Sequence, residues 1–289
     1  MRITRDNLVF RMDKENDYVL KANSGDEIVF ETCDCFSDSI KSEKDLVSGI
    51  DFDKVNPATG PLYIEEAEIG DCLKVEIIDI KLNNSGAIVT APGLGRLADR
   101  IDSEETVICE IKNNEVDYLG RNLPLNPMIG VIGTAPSGEG ISTGTPYHHG
   151  GNMDCTMVKK GSTVYFPVNT KGALLAMGDL HASMGDGEIM GSGIEISGEV
   201  RVRVEVLKEY DILPIMIETE DKWITIGSEK TMEEASKIAI DNMVNFIVKK
   251  TKLSINQAGM LLSAVGNLRV CQIVDPNMTM RMEIEKKYL

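Results

Sequence analysis

Alternation of apolar and polar residues is the feature that most narrows what this chain can become. Ile194, Ile196, Val200, Val202, Val204 and Val206 face one way, against Glu195, Glu199, Arg201, Arg203 and Glu205. That two-residue period belongs to a strand with one buried side. It returns at Val107, Cys109 and Ile111, and again at Val164, Phe166 and Val168. Leu73, Val75 and Ile77 follow it too, but Ile78, Ile80 and Leu82 continue in the opposite phase. A β-bulge, or a strand changing sheets, leaves such a slip. Glycine- and proline-rich connections at 56–61, 91–95 and 133–138 separate these runs.

The pattern changes after Gly227. Thr231 and Glu234 form a capping box ahead of an apolar stripe at Ala235, Ala239, Met243 and Ile247, which predicts a helix. A second box, Ser254 with Gln257, opens another helix that Gly266 closes, and Leu268, Val270 and Ile273 read as a returning strand. The expected fold is mainly β, with sandwich- or barrel-like sheets and a C-terminal α/β portion carrying a helical pair. A soft boundary divides a β-rich core, 1–227, from an α/β segment, 228–289, packed on it; the whole also reads as one domain.

With 289 residues of which 42% are hydrophobic, a sizeable core is available. A formal charge of −16 argues against nucleic acid and anionic membrane as partners, whose binding is driven by positive charge. The first residues lack the apolar core of a signal peptide, and no apolar run reaches the roughly 18–20 residues that span a bilayer. A soluble, intracellular protein is expected. Six scattered cysteines without a C-x-x-C pair read as reduced, packed thiols.

The chemistry concentrates in two polar, glycine-laden strings, which hold all three histidines: 148–154 with His148 and His149, and 178–188 with His181. From Gly172 to Val200 there is no Lys or Arg, while Asp179, Asp186, Glu188, Glu195 and Glu199 supply carboxylates. So many acids without a local counter-charge invite a cation. On a strand, Asp179 and His181 share a face with Cα atoms about 6.5–7 Å apart, close enough to converge on one metal ion. Asp34, Asp154, and Glu188 or Glu195 are candidates to complete the set. A solvated acidic turn with a hydrogen-bonded histidine is the plainer reading of the same residues. Glu195, on the polar face of its strand, reads equally as a surface residue. Gly150 and Gly151 beside Asn152 could present backbone N–H groups to a substrate or oxyanion, with His149 favoured over His148 as a contact. Glu188 is the candidate general base, if burial near a metal raises its pKa. Cys155 is a weaker nucleophile candidate, because no basic neighbour is evident to lower its pKa.

Taken together, these strings resemble the acetamidase/formamidase family. Asn56-Pro57-Ala58-Thr59-Gly60-Pro61 is similar to its N-P-x-T-G-P, and Glu68-Ile69-Gly70-Asp71-Cys72-Leu73 to E-x-G-D-x-L. Residues 130–136 resemble G-x-I-G-x-A-P, residues 149–154 H-G-G-N-M-D, and residues 178–188 G-D-x-H-A followed by G-D-G-E. Residues 268–276 resemble the closing L-R-x-x-Q-x-V-x-P. At Met184 the family usually carries glutamine, a departure that bears on substrate choice.

The resemblance implies a cytoplasmic hydrolase splitting short-chain amides, formamide or acetamide, into ammonia and a carboxylate. It also implies a β-rich fold with an α/β portion, a bound divalent metal and a homo-oligomer, commonly a dimer. Small cyclic amides are further substrates among relatives. Zinc suits the mixed ligands best, with calcium and manganese as alternatives. The expected ligands are Asp34, Asp154, Asp179 and His181; Glu188 and His149 are the expected catalytic residues, and Gly150, Gly151 and Asn152 the expected substrate contacts. Two rivals remain: a metal-stabilised β protein that binds a small ligand without chemistry, and a Cys155-dependent amidase.

Overall fold

In the computed structural model, which describes residues 1–208 and 214–289, the alternating segments become strands of two large sheets. Those that position the site are β1 (Glu27–Thr32), β2 (Ala58–Ile64), β3 (Cys72–Leu82), β4 (Ser85–Thr90), β5 (Met128–Gly133) and β6 (Gly150–Asn152). Next come β7 (Thr163–Pro167), β8 (Leu175–His181), β9 (Glu195–Ile196), β10 (Gly198–Leu207), β11 (Met216–Glu218) and β12 (Lys222–Glu229). Helices α1 (Met232–Thr251) and α2 (Ile255–Val265) precede β13 (Asn267–Gln272) and β14 (Met278–Glu285).

Among the described residues the first sheet has nine strands, running from an edge at Arg2–Ile3 through β1, β10, β3, β7, β11, β12, β14 and β13. The second has eleven; along its path lie β4, β9, β8, β5 and β6, and β2 also pairs with β8. Phe30, Ile77, Val164 and Val202 of the first sheet share one core with Leu62, Ile129, Met177 and Leu180 of the second, the interlocking of two inner faces in a sandwich. Tyr165, Met216, Trp223 and Met282 instead pack with Met243, Ile247, Ala258 and Leu262 of the helices. The fold is mostly β with two C-terminal helices. The first sheet continues unbroken across position 227, because β12 spans it.

The phase slip is a bulge in β3. Arg201 pairs with Asp79 and Val202 with Ile77, leaving Ile78 between them. The long run from Ile194 to Val206 is not one strand, however. β9 pairs with β8 and β4 in the second sheet, whereas β10 pairs with β1 and β3 in the first, and only Ser197 separates them. The face that alternation marks as outward is therefore covered at Glu195, which is 1% exposed. The surface role weighed for Glu195 is overturned by this change of sheet.

Ala235, Ala239, Met243 and Ile247 form the buried stripe of α1, and the Thr231 side chain accepts from the Glu234 N–H at its start. At the start of α2 the Gln257 N–H donates to Ser254 Oγ (3.3 Å) and the Ser254 N–H to Gln257 Oε1 (2.9 Å). Gly266 caps α2 with φ −79°, so space rather than backbone freedom selects it: a Cβ there would lie 2.8 Å from the backbone O of Leu262. Among the described residues no helix is long and apolar enough to cross a membrane. Replacing Ser254 with Ala is expected to lower stability by about 1 kcal/mol. Urea unfolding should show this as a lower midpoint at unchanged slope.

Candidate active site

The ladder around β8 brings the acids together. His181 lies opposite Glu195 of β9 on one side and Met128 of β5 on the other. That second register puts Gly130 between Ile129, opposite Leu180, and Val131, opposite Gly178. Just beyond β6, the N–H groups of Met153 and Asp154 turn onto Gly130 O (3.1 and 3.4 Å). A Cβ at Gly130 would sit 2.4 Å from Asp154 Oδ1 and 2.5 Å from Asp179 Oδ2, so the missing side chain is what lets the two carboxylates meet. Gly193 does the same beneath the His181 ring, where a Cβ would lie 3.1–3.3 Å from ring atoms. Asp154, Asp179 and Glu188 have φ of +41°, +55° and +47°. Non-glycine residues hold this left-handed backbone at a cost of about 1–3 kcal/mol each, a strain that gathers at functional sites.

Around His181 Nε2 lie Glu195 Oε2 at 2.9 Å, Asp179 Oδ1 at 3.5 Å and Asp154 Oδ1 at 3.9 Å. All three oxygens are buried and, among the described residues, lack a hydrogen-bond partner. Buried acceptors left open in this way are rare. Ligands about 2.0–2.2 Å from a common ion stand about 3.4 Å apart when tetrahedral, and the three separations bracket that value. The donor set fits a divalent cation. Ligand atoms of Asp154, His181 and Glu188 form one group within 4.8 Å of one another, and those of Cys35, Asp179 and Glu195 form a second.

The charge asymmetry of the Gly172–Val200 stretch resolves residue by residue. Asp186 takes both Arg281 nitrogens (2.6 and 2.9 Å), and Glu199 takes Arg2 (2.8 Å). Asp179, Glu188 and Glu195 remain, joined by Asp154 and Asp275. Burial pushes the carboxyls of Asp154, Glu188 and Asp275 well above their ordinary range, and neighbouring carboxylates push further. Burial, opposed by His181, takes Glu195 up to about 7. Burial by itself would lower His181, but Glu195 and Asp179 outweigh it and hold the imidazole well above its usual value.

The structure brings Asp154, Asp179, His181 and Glu188 into this cluster; Asp34 lies at its edge. Asp34 Oδ1 accepts the N–H groups of Phe36 (2.9 Å) and Asp38 (2.8 Å), tying the turn after β1, and burial raises its carboxyl to about 6. His149 is fully buried with both ring nitrogens free of partners among the described residues. Burial and then His148 push it down to about 3, so the ring is neutral. Gly150 and Gly151 are required by packing: a Cβ would strike Ile132 O at 2.3 Å or Thr145 O at 2.4 Å. The Gly150 N–H donates to Tyr147 O (3.1 Å), which removes it from any substrate cradle. Asn152 gives its amide N–H to Asp275 Oδ2 (3.1 Å), leaving its buried Oδ1 open. Met184 is buried.

Sequence reasoning missed Asp275, which sits in the turn between β13 and β14 and so lies outside any periodic pattern. Its signal was Gln272, whose Oε1 accepts the N–H groups of Val274 and Asp275 (2.8 and 3.0 Å) and aims the turn inward. Also missed was a basic neighbour for Cys155. Burial alone would raise that thiol, but a hydrogen bond with Cys271 and the Arg281 guanidinium hold it below its ordinary value. Arg281 is remote in sequence, so spacing could not reveal it.

The model of the acetamidase/formamidase family matches residues 3–143 and 138–287. The chain belongs to that family. An acetamidase from Bacillus halodurans has the same fold, with TM-score 0.98 and 49% identity over 100% of this chain and 98% of that one. A recombinant predicted acetamidase/formamidase from Thermoanaerobacter tengcongensis gives 0.97 at 41% identity, covering 100% and 96%. A formamidase from Methylophilus methylotrophus is 28% identical over 249 residues, 64% of this chain and 60% of that protein. The match thus spans about three fifths of that curated relative.

The raised carboxyls fix the sign of the pH dependence in metal-free protein. A carboxyl whose pKa is higher folded than unfolded gives stability that is lost as pH rises from its unfolded value, near 4.5 for Glu195, through about 7. His181, also raised, moves stability in the same direction. Chelator-treated protein should therefore melt lower at about pH 8 than at about pH 5, by about 2 °C or more. Calorimetry with added zinc should show that difference shrink.

Proposed function

We propose that this chain is a metal-dependent hydrolase of short-chain amides, releasing ammonia and a carboxylate from formamide, acetamide or a similar small amide. The observation that carries this reading is the set of open carboxylate oxygens around His181 Nε2, in a chain of the acetamidase/formamidase family. Asp179, His181 and Glu195 would hold the metal, with Asp154 beside them, and zinc is the best match. When bound, the metal supplies Lewis-acid polarisation of the amide carbonyl and lowers the pKa of water.

The protein's own groups do the rest. Glu188, 7% exposed and raised in pKa by burial, takes the proton of the attacking water and passes it to the leaving nitrogen. Asn152 Oδ1 accepts an N–H of the substrate, because its own N–H is committed to Asp275. That choice favours primary amides over fully N-alkylated ones. The neutral His149 ring donates its single N–H to the oxygen that gains charge. The closed walls of the cluster keep the charges in a medium where they act strongly.

Asp179→Asn and His181→Ala are each expected to remove amide hydrolysis and bound metal together, read by ammonia release and elemental analysis. Either variant keeping both would overturn the assignment. Glu188→Gln should retain metal and lose about 10²–10⁴-fold in kcat. Activity lost to a chelator but not to a thiol alkylating agent separates this reading from a Cys155-dependent one. Absence of hydrolysis from metal-loaded protein across a panel of amides and lactams would favour a binding protein.

A further inference from the structure

Cys35 has no part in the chemistry described so far, yet the fold places it against that chemistry. It follows Asp34 in the turn after β1, where the carboxylate of Asp34 fixes the backbone and the N–H of Asn56 donates to Cys35 O (2.8 Å). The residue is 8% exposed. Its Sγ and one carboxylate oxygen each from Asp179 and Glu195 lie within 4.8 Å of one another. These two acids come nearest to His181 Nε2, and each presents a buried oxygen, Asp179 Oδ1 and Glu195 Oε2, without a hydrogen-bond partner.

The other cysteines stand in different company. Cys155 and Cys271 adjoin one another beside Arg281, and Cys33 neighbours Asp38 and Arg5; Cys72 and Cys109 lie in apolar clusters, as Cys35 does on its Phe36 and Val89 side, but neither is grouped with two buried acids. Among the described residues, Cys35 is the cysteine grouped with two buried carboxylates that lie against His181. An ion held between Asp179 and Glu195 would therefore have a sulfur close by.

We propose that Cys35 is a direct ligand of the divalent cation, its thiolate sulfur completing the set from Asp179, Glu195 and His181. This rests on the reading that a cation occupies the cluster. On coordination the S–H bond is replaced by a sulfur–metal bond and the proton leaves to solvent. A thiolate ligand sets the metal class: sulfur selects zinc or cobalt, whereas calcium takes oxygen ligands alone. The chain would then reject calcium by ligand type, and manganese by softness.

The test uses full-length protein stripped with a chelator and reloaded with cobalt(II). A near-ultraviolet thiolate-to-cobalt charge-transfer band is expected beside the visible d–d bands. In Cys35→Ser the charge-transfer band should vanish while the d–d bands persist, and zinc-over-manganese preference should fall at least about tenfold. Visible bands without the charge-transfer band in the unsubstituted protein would overturn the assignment and leave the metal reading intact. A charge-transfer band that survives in Cys35→Ser would overturn it in favour of another cysteine. No bound cobalt, by spectrum and elemental analysis, would overturn both. If Cys35→Ser fails to fold, zinc-edge X-ray absorption of the unsubstituted protein decides the matter by the presence or absence of a sulfur neighbour at about 2.3 Å.

Discussion

Concentrated negative charge, held away from water, is the constraint on which the rest of this structure depends. Asp154, Asp179, Glu188 and Glu195 are all nearly inaccessible, and Asp275 meets them from a turn. One imidazole stands among them. Each buried ion costs several kcal/mol unless something compensates it, and among the described residues no Lys or Arg pairs with any of the five. The fold accepts that cost and organises around it. Gly130 and Gly193 open the space, left-handed backbone turns three of the acids inward, and other acids of the same stretch are neutralised by Arg281 and Arg2.

The C-terminal portion is part of this arrangement. Gln272 shapes the turn that carries Asp275, and Asp275 in turn fixes which atom Asn152 shows to the site. The Gly187 N–H donates to Cys271 O, so β13 also steadies the loop bearing Glu188. Arg281 of β14 clamps Asp186 in that same loop. Strands whose obvious partners are the two helices therefore also set the geometry of residues about one hundred positions earlier in the chain.

What could be read from the sequence follows from how local each signal is. Alternation and capping boxes report local structure, so the β-rich fold, the bulge at Ile78 and both helices were legible. Asp179 and His181, two residues apart on one strand, were legible for the same reason. Glu195 was misleading because alternation assumes one buried side, and the chain changes sheets beside it. Asp275, Cys35 and the Arg281 neighbour of Cys155 depend on contacts across long stretches of sequence, which no period encodes. The segment after β1 drew attention through Asp34, but the residue grouped with the carboxylates is the next one.

The lone Ser197 between β9 and β10 has a consequence for how this family can vary in length. Upstream, the pleat must turn Glu195 toward His181; downstream, it must turn Val200, Val202 and Val204 into the core. Side chains alternate along a strand, so one inserted or deleted residue here would invert one of these two sets. Register on both sides is pinned, by β8 and by the long β3 pairing. Homologues should therefore keep the spacing between this glutamate and the following valines constant. The turn at Asn113 and Asn114, where nothing of the site is at stake, is free to lengthen.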